Sequence, residues 1–499
     1  MALAIVKTRA RVGMNAPEVT VEVHLSNGLP AFNIVGLPDA AVRESKERVR
    51  SAILNSEFDF PQRRITINLA PADLPKDGGR FDLPIAIGIL AASEQIPAAA
   101  LEQTEFVGEL ALSGQLRPVE GVLTAAIAAT EHQHSLFVPA ANAAEAAVPR
   151  HSRIFPCGHL IQVCGNLKQP ASAQPFQSAD PKDAEPGMDY PDLADVKGQH
   201  QAKRALEVAA AGKHNLLMMG PPGAGKSMLA ARLPGILPPM TDAEMMQTAA
   251  IHSVSRINSR PLFQRPIRTP HHTASGAALA GGGSNPKPGE ISLAHNGILF
   301  LDELPEFPRK VLEVLREPLE SGEIALSRAA QQITYPANFQ LIAALNPCPC
   351  GHPDKPPEGC NNPQLCCNKY QSKLSGPLLD RIDMHIQVDA LPISELQHHE
   401  RGESSDSVRD RVSSARQIQL QRQGCPNHDL SAKQLDTVCA LSENDTRFLQ
   451  TAVERLGLSA RGYHRILKVA RTLADLEHSA AISKRHLTEA LSYRALFAV

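Results

Sequence analysis

The stretch NLLMMGPPGAGKS, residues 215–227, decides the fold of the region around it. Its apolar start predicts a buried strand, and the glycine-rich turn that follows matches the phosphate-binding pattern GxxxxGK[ST]. In such a turn, backbone N–H groups surround phosphate oxygens, and the next helix directs its positive N-terminus at the same anion. The residues expected to bind a nucleotide are Gly220, Pro221, Pro222, Gly223, Ala224, Gly225, Lys226, Ser227 and Met228. Lys226 is expected to contact the β and γ phosphates and Ser227 to bind Mg²⁺, whereas the alternative is a glycine-rich surface loop.

A second apolar strand, residues 297–301, ends in Asp302 and Glu303. A buried strand would deliver Asp302 to the Mg²⁺ shell, and Glu303 would then polarise the attacking water as a catalytic residue. A strand that simply ends in solvated acids is the alternative. The phosphate-binding pattern upstream favours the nucleotide site.

Two further residues complete the predicted catalytic set. Asn346 follows the apolar strand 339–345, where it could hold the attacking water, contact the γ-phosphate or merely cap the strand. Arg381 follows a turn at 375–377. An arginine that neutralises transition-state charge across a subunit boundary accelerates phosphoryl transfer strongly, although an ordinary Asp–Arg surface pair is the alternative here.

These four elements, in this order, resemble the AAA+ superfamily of ATPases. Residues 195–206 resemble the adenine-side segment of magnesium-chelatase-like ATPases. Four stretches look like the ComM/YifB family: 268–276, 281–283, 345–351 and 374–383. Residues 459–471 are similar to that family's C-terminal helical lid, and the resemblance covers essentially the whole chain.

The resemblance implies a homohexameric ring that encircles DNA. It implies an ATP- and Mg²⁺-dependent helicase that promotes branch migration, extending heteroduplex during natural transformation and homologous recombination. On this basis Arg381 is the arginine finger that acts on the neighbouring subunit. Arg461 is the lid residue that contacts the γ-phosphate, with Arg465 as a weaker candidate. The alternative function is an AAA+ remodelling ATPase that acts on a protein or on a chelatase-type partner.

The resemblance suggests that two basic, glycine-containing loops project into the ring. The first, residues 268–289, contains Arg268, His271, His272 and Lys287, and the second, residues 322–328, ends in Arg328. We expect Arg268, Lys287 and Arg328 to bind DNA through phosphate contacts that do not depend on base sequence. The alternative is that these loops pack against neighbouring subunits.

Five cysteines cluster between residues 348 and 367 in a segment rich in Pro, Gly and Asn. Such clusters bind Zn²⁺ and stabilise loops that lack a core of their own. Cys348, Cys350, Cys360 and Cys366 are the predicted ligands of a structural Zn²⁺. Cys367 or His352 could supply the fourth ligand instead, and a set of reduced thiols is the alternative.

The predicted fold class is α/β with three domains. Residues 1–167 resemble the α+β domain of Lon-type proteases, which has the fold of the second domain of ribosomal protein S5. A linker follows at 168–190, then an AAA+ core with a parallel sheet at 191–392, a Cys-rich insertion at 347–371 and a helical lid at 393–499. Arg80 stands where the protease nucleophile would be, and no lysine follows Gly121 at the required place, so this domain should be inactive as a protease.

The composition sets limits on the partners of this 499-residue chain. The net charge is −2, so contact with nucleic acid must be local or arise in an assembly. The most apolar stretch, residues 83–92, is too short to cross a bilayer, and no secretion signal is visible. We therefore expect a cytoplasmic protein with no membrane partner and no peptide substrate.

Overall fold

A computed structural model describes residues 2–177, 190–255, 264–283, 286–328, 331–349, 363–392 and 402–494. The chain folds as two compact units. The first unit comprises Met1–Glu185, Asp242–Leu262 and Ala329–Tyr335. The second comprises Pro186–Thr241, Phe263–Arg328 and Pro336–Val499. Helices and strands alternate in both units, so the chain is a mixed α/β protein, as predicted.

The strands are short, as is usual for α/β proteins. In chain order they are β1 Ala2–Arg9, β2 Glu18–Ser26, β3 Ala31–Val35, β4 Arg64–Ala70, β5 Thr104–Phe106, β6 Glu109–Leu110, β7 Leu116–Arg117, β8 Ser135–Pro139, β9 Arg153–Cys157, β10 Leu216–Met219, β11 Ile267–Arg268, β12 Gly281–Gly282, β13 Lys287–Pro288, β14 Ile298–Leu301, β15 Glu323–Arg328, β16 Gln331–Pro336, β17 Gln340–Leu345 and β18 Met384–Gln387.

The helices of the first unit are Ala40–Asn55, Asp82–Ala92, Val122–Glu131, Ala143–Ala146, Leu160–Lys168 and Asp242–Ser253. Those of the second unit are His200–Gly212, Lys226–Ala230, Leu233–Ile236, Gly276–Ala280, Glu290–Leu293, Arg309–Glu313, Pro318–Ser321, Pro363–Gln371, Gly376–Leu379, Ser405–Gln423, Ala432–Val438, Glu443–Arg455, Ala460–Leu476 and Lys484–Ser492. The 3₁₀ turns are Gly79–Phe81, Ala98–Leu101, Ala140–Asn142, Pro170–Ser172, Leu193–Asp195, Leu304–Glu306, Val314–Arg316 and Asn427–Asp429.

A mixed seven-stranded sheet forms the first unit, in the order β3-β4-β2-β1-β5-β8-β9. β2 pairs antiparallel with both β1 and β4, whereas β5, β8 and β9 run parallel. Every second residue of β2 is buried, which places Val19, Val21 and Val23 on the core side. This alternation follows from the two-residue period of a strand.

The most apolar segment of the chain packs inside this unit. All residues of the helix Asp82–Ala92 are buried. Gly88 allows the helix to lie close to the sheet, because a Cβ at this position would be 2.5 Å from Val23 Cγ2. No helix in the described part of the chain is long and apolar enough to cross a membrane. Arg80, in the 3₁₀ turn before this helix, is 5% exposed, so its side chain is buried and not solvated.

Two segments from the middle of the chain belong to the first unit, although they fall within the range 191–392 that was predicted to form the AAA+ core. The helix Asp242–Ser253 contributes Ala249 and Ala250 to a small apolar cluster with Leu123. Ile333 of β16 is buried and lies beside Gly13, where an added Cβ would approach within 2.6 Å. The burial of apolar side chains explains this placement. The stretch 322–328, expected to be a turn, contains the strand β15.

The second unit is built on a five-stranded parallel sheet in the order β11-β14-β17-β10-β18. Every residue of β14 and β17 is buried, as expected for central strands of a parallel sheet with helices on both faces. The C-terminal helices share this core, since Ile466, Ala470 and Leu473 belong to the same apolar cluster as the sheet. The sheet therefore sets the positions of the residues that follow its strands at the carboxyl edge.

Candidate active site

Three neighbouring strands end side by side at the carboxyl edge of the parallel sheet. β17 pairs with β10 on one side and with β14 on the other. Gly220 follows β10, Asn346 follows β17, and Asp302 follows β14. Parallel strands bring their carboxyl ends to one edge, which is where α/β sheets bind ligands. The sheet thus brings the three predicted elements together.

The glycine-rich turn has the backbone shape of a phosphate-binding loop. Gly223 and Gly225 have φ values of 77° and 92°, in the left-handed region that favours glycine. Gly220 lies against Val388, the residue after β18, where a Cβ would be 2.0 Å from the carbonyl oxygen. The N–H of Gly220 donates to Leu345 O at 3.2 Å. These contacts fix the loop at the end of β10 and direct it towards the helix Lys226–Ala230.

Lys226 is the central cation of the site. It is 7% exposed, and its Nζ donates to Gly220 O at 2.7 Å, Pro221 O at 2.9 Å and Asn346 Oδ1 at 3.0 Å. Burial lowers the pKa of Lys226, and the carboxylates of Asp302 and Glu303 act in the opposite direction. The ammonium is thus held by neutral oxygens in a position from which it can bind an anion.

The hydroxyl of Ser227 donates to Asp302 Oδ2 at 2.6 Å. Asp302 also accepts the N–H of Glu303 at 2.9 Å through Oδ1. A hydroxyl and a carboxylate side by side form an oxygen donor set of the kind that Mg²⁺ prefers, so these residues fit this metal. Glu303 has φ 51°, in the left-handed region that is uncommon for a non-glycine residue.

Two further residues, His272 and Gln199, lie at the site, and the sequence patterns did not predict their contacts there. His272 Nδ1 lies 3.3 Å from Glu303 Oε2, so the histidine expected in a DNA-facing stretch contacts the predicted catalytic acid. Gln199 belongs to the adenine-side segment and donates through Nε2 to Ala224 O at 3.2 Å and Asp389 O at 2.7 Å. Neither contact has a local sequence signal, because the partners are distant in the chain.

Arg381 and Arg461, predicted to act on the γ-phosphate, converge on one carboxylate. Arg381 Nη2 lies 2.6 Å from Glu320 Oε1, and Arg461 Nη2 lies 3.6 Å from the same oxygen. Arg381 also donates through Nη1 to Pro377 O at 2.7 Å. Sequence reasoning did not single out Glu320.

Arg465, the weaker candidate for the lid residue, is occupied elsewhere. It forms an ion pair with Asp383, which is fully buried and also accepts from His428 Nδ1 at 2.8 Å and from the N–H of Asn215 at 2.8 Å. Burial by itself would raise the pKa of Asp383, but the charges of His428 and Arg465 hold it well below the usual range. Arg465 therefore stabilises the interior of the second unit.

The predicted DNA-binding residues have different surroundings. Arg268 forms a double ion pair with Glu290, with N–O distances of 2.5 and 2.7 Å. Lys287 lies in β13, which pairs with β12. Arg328 ends β15, and its side chain lies outside the described residues.

The predicted zinc ligands are described only in part. Cys348 is buried and Cys366 lies in the helix Pro363–Gln371, but Cys350 and Cys360 are outside the described residues, as is His352. Two groups in the described ranges have spacing compatible with a metal ion: His214, Asp383 and His428, and Glu18, Glu105 and His134. Neither contains a cysteine, and every carboxylate in them is already paired with an arginine: Asp383 with Arg465, and Glu18 and Glu105 with Arg9. The zinc site stays a prediction.

The chain matches models of one protein family in three regions. Residues 192–396 match the family model described as magnesium chelatase, subunit ChlI; residues 21–142 match subunit ChlI of Mg-chelatase, and residues 402–494 match the ChlI C-terminal model. The competence protein ComM of Haemophilus influenzae is 52% identical, covering 99% of this chain and 98% of the relative. YifB of Escherichia coli is 48% identical with the same coverage. A magnesium-chelatase 38 kDa subunit of Cereibacter sphaeroides is 26% identical, over 60% of this chain and 90% of the relative.

The parallel sheet, the phosphate loop and the acids at its edge define an ATPase of the magnesium-chelatase-like AAA+ class, which implies ATP and Mg²⁺ as its cofactors. Within this class, the chain belongs to the ComM/YifB family, since it aligns with these proteins over nearly its full length.

Proposed function

We propose that this chain is an ATP-driven DNA motor that assembles as a homohexamer and promotes branch migration during natural transformation and homologous recombination. One observation carries the ATPase part: at the carboxyl edge of the sheet Lys226 donates to Asn346, and the adjacent Ser227 donates to Asp302. The DNA part is supported by the family and by the competence protein at 52% identity.

Each residue of this site would have a different role in ATP hydrolysis. Lys226 would exchange the carbonyl oxygens that it now binds for β- and γ-phosphate oxygens. Ser227 and Asp302 would hold Mg²⁺, which when bound neutralises charge on the phosphates. Glu303 would accept a proton from the attacking water, and Asn346, held by Lys226, would orient that water.

Assembly would complete the site from a neighbouring chain. Arg381 and Arg461 approach the same oxygen of Glu320, so both guanidinium groups are directed at one place. If Arg381 acts on the triphosphate of the adjacent subunit, Arg461 would act there with it. Such an arrangement requires a ring or filament of subunits, and we propose six.

The basic stretches 268–289 and 322–328 would bind DNA through Arg268, Lys287 and Arg328. For Arg268 this requires release from Glu290, since a phosphate and the carboxylate would compete for the same guanidinium edge. Replacing any one of these residues with alanine should weaken DNA binding and reduce its dependence on salt by about one unit of slope. An unchanged slope would exclude that residue from phosphate contact.

The remaining parts would support the motor. We propose that residues 1–167 are a Lon-like domain without peptidase activity, that a linker at 168–190 joins it to the AAA+ core, 191–392, and that 393–499 form the lid. We also propose that Cys348, Cys350, Cys360 and Cys366 bind one structural Zn²⁺ within 347–371. Metal analysis that finds no zinc in the purified chain would reject this site.

Turnover of ATP with and without single-stranded, duplex and branched DNA tests the proposal. We expect stimulation by DNA, and Lys226→Ala and Glu303→Gln should abolish turnover. A purified protein that stays monomeric and releases no phosphate in the presence of Mg-ATP and DNA would overturn it.

A second candidate function is favoured by the match to the magnesium chelatase models, namely a remodelling ATPase that acts on a protein or on a chelatase-type partner. Stimulation of turnover by such a partner, with no response to any DNA, would select this alternative.

A further inference from the structure

Glu320 is the point at which two predicted γ-phosphate ligands meet. Its Oε1 lies 2.6 Å from Arg381 Nη2 and 3.6 Å from Arg461 Nη2. Both contacts are ion pairs, and the attraction is stronger for Arg381 because its charge lies closer to the carboxylate. Glu320 and Arg461 are about half exposed, with side-chain exposures of 48% and 60%, whereas Arg381 is only 7% exposed.

These three side chains come from separate elements of the second unit. Glu320 lies in the helix Pro318–Ser321, which ends at Gly322 in the left-handed conformation. Arg381 follows the helix Gly376–Leu379, and Arg461 lies in the first turn of the helix Ala460–Leu476. The convergence therefore depends on packing within the unit.

A second set of contacts keeps the two arginines close. Ser459, which caps the helix that carries Arg461, donates to Asp380 Oδ2 at 3.0 Å, and Asp380 directly precedes Arg381. Because this bond joins the two backbone segments, Arg381 and Arg461 have restricted freedom to separate. Two guanidinium ions held near one another repel, and Glu320 supplies the negative charge that offsets this repulsion.

Arg381 is not fully satisfied by these contacts. Its Nη1 donates to Pro377 O, its Nη2 contacts Glu320, and its Nε has no hydrogen-bond partner within the described ranges. A buried N–H without an acceptor is costly, so a movement of the Arg381 side chain that brings an anionic oxygen to Nε would be favourable. Carboxylate and phosphate oxygens suit the same guanidinium geometry, so the γ-phosphate can take over the place that Glu320 occupies.

We propose that Glu320 is a positioning residue of the ATPase reaction, acting through Arg381 and Arg461. It holds both guanidinium groups towards one point before the neighbouring triphosphate arrives, and it releases them to that phosphate. This inference rests on the proposed ATPase function and on its sharing of sites between subunits. It adds a residue that does not itself touch the nucleotide.

The first test is steady-state ATPase kinetics of Glu320→Ala and Glu320→Gln, with Glu317→Gln as the matched control on an exposed carboxylate three residues earlier. A misplaced catalytic group costs roughly 10- to 100-fold in rate, so we expect kcat to fall by that factor for Glu320→Ala, with KM changed by less than about threefold. Glu320→Gln should lie between this variant and the wild type, because the amide oxygen still accepts a hydrogen bond. Glu317→Gln should match the wild type.

The second test separates positioning from a local structural defect. Because Glu320 acts through Arg381 and Arg461, the fall in kcat caused by Glu320→Ala should be smaller in an Arg381→Ala background than in the wild type. Mixing Glu320→Ala with Lys226→Ala subunits should restore activity, since intact phosphate loops of the first variant then receive intact arginines from the second. The mixture of Arg381→Ala with Lys226→Ala serves as the reference.

The outcomes distinguish failure of the shared nucleotide site from failure of the role of Glu320. A wild-type protein without ATPase activity, or an Arg381→Ala/Lys226→Ala mixture that does not recover, overturns the proposed shared site and this inference with it. Recovery in that reference together with wild-type kcat for both Glu320 variants overturns the role of Glu320 alone. So does a Glu320→Ala/Lys226→Ala mixture that fails to recover. If Glu320→Ala does not fold, the same comparisons with Glu320→Gln decide the question.

Discussion

Ser227 and Asp302 are 75 residues apart in the chain, yet Ser227 Oγ donates to Asp302 Oδ2 at 2.6 Å. The contact exists because the strands that precede the two residues, β10 and β14, both pair with β17 and end at the same edge. Each residue supplies an oxygen to the place where Mg²⁺ is expected. The pair therefore gives a direct test of the metal requirement.

Replacing Asp302 with Asn should raise the Mg²⁺ concentration needed for half-maximal ATPase activity. Removal of a ligand or its supporting partner typically costs about 10- to 100-fold in metal affinity, and we expect a shift of at least that size. A Mg²⁺ titration of ATP turnover measures it.

Ser227 provides the matched comparison for that titration. Ser227→Thr keeps the hydroxyl that the GK[ST] pattern requires and should retain activity, whereas Ser227→Ala should shift the Mg²⁺ dependence in the same direction as Asp302→Asn. Equal Mg²⁺ curves for Ser227→Ala and the wild type would exclude the hydroxyl as a ligand.

The affinity for ATP should fall at alkaline pH because of Lys226. Burial lowers the pKa of its ammonium, and a deprotonated amine cannot bind phosphate as a cation. As pH rises through this lowered pKa, Lys226 loses its charge, so the Kd for ATP should increase at a pH below the usual lysine value of about 10.4. Nucleotide binding followed by fluorescence across pH measures the effect.

Lys226→Arg isolates the titration, because a guanidinium stays charged throughout this pH range. We expect this variant to bind ATP more weakly at neutral pH but to lack the alkaline loss. If wild type and Lys226→Arg lose affinity in parallel, another group is responsible.

Gly220→Ala should destabilise the second unit and impair nucleotide binding. The new Cβ would lie 2.0 Å from Val388 O, and backbone cannot move away as a flexible side chain could. Overpacking of this kind costs about 1–3 kcal/mol in free energy of unfolding. Urea unfolding of the variant measures the cost.

Gly276→Ala is the control for that experiment, since a Cβ at Gly276 would have no heavy atom within 4 Å among its described neighbours. Its unfolding free energy should stay within about 0.5 kcal/mol of the wild type. Equal stability of Gly220→Ala and Gly276→Ala would contradict the close approach of Gly220 to Val388.

Loss of the Asp383 charge should destabilise the second unit strongly. This buried carboxylate pairs with Arg465 and His428, and removal of one partner from a buried ion pair costs about 3–5 kcal/mol. Chemical unfolding of Asp383→Asn checks this value, with Asp410→Asn, at an exposed position on the helix Ser405–Gln423, as the control.

The same carboxylate should make stability depend on acid. Because folding depresses the pKa of Asp383, its contribution is fully present above the unfolded-state pKa of about 3.9 and is lost as pH falls further towards the folded value. Asp383→Asn should therefore lose less stability than the wild type between neutral and acidic pH. An identical pH dependence in both proteins would refute the assignment.

The sequence by itself determined the elements whose residues are adjacent in the chain. The apolar strand, the glycines and Lys226–Ser227 form one continuous stretch, so their conformation follows from local backbone preferences. The alternation of apolar strands and helices likewise predicted the mixed α/β class and the parallel sheet. The family resemblance covered essentially the whole chain, and relatives at 52% and 48% identity confirm the family.

Only the tertiary structure decided which distant side chains meet. It paired Glu320 with Arg381 and Arg461, connected Arg465 to buried Asp383, and included the segment Asp242–Leu262 in the first unit. Such contacts depend on how whole helices and strands pack to bury apolar surface. No short stretch of sequence contains that information, because each partner carries only half of the interaction.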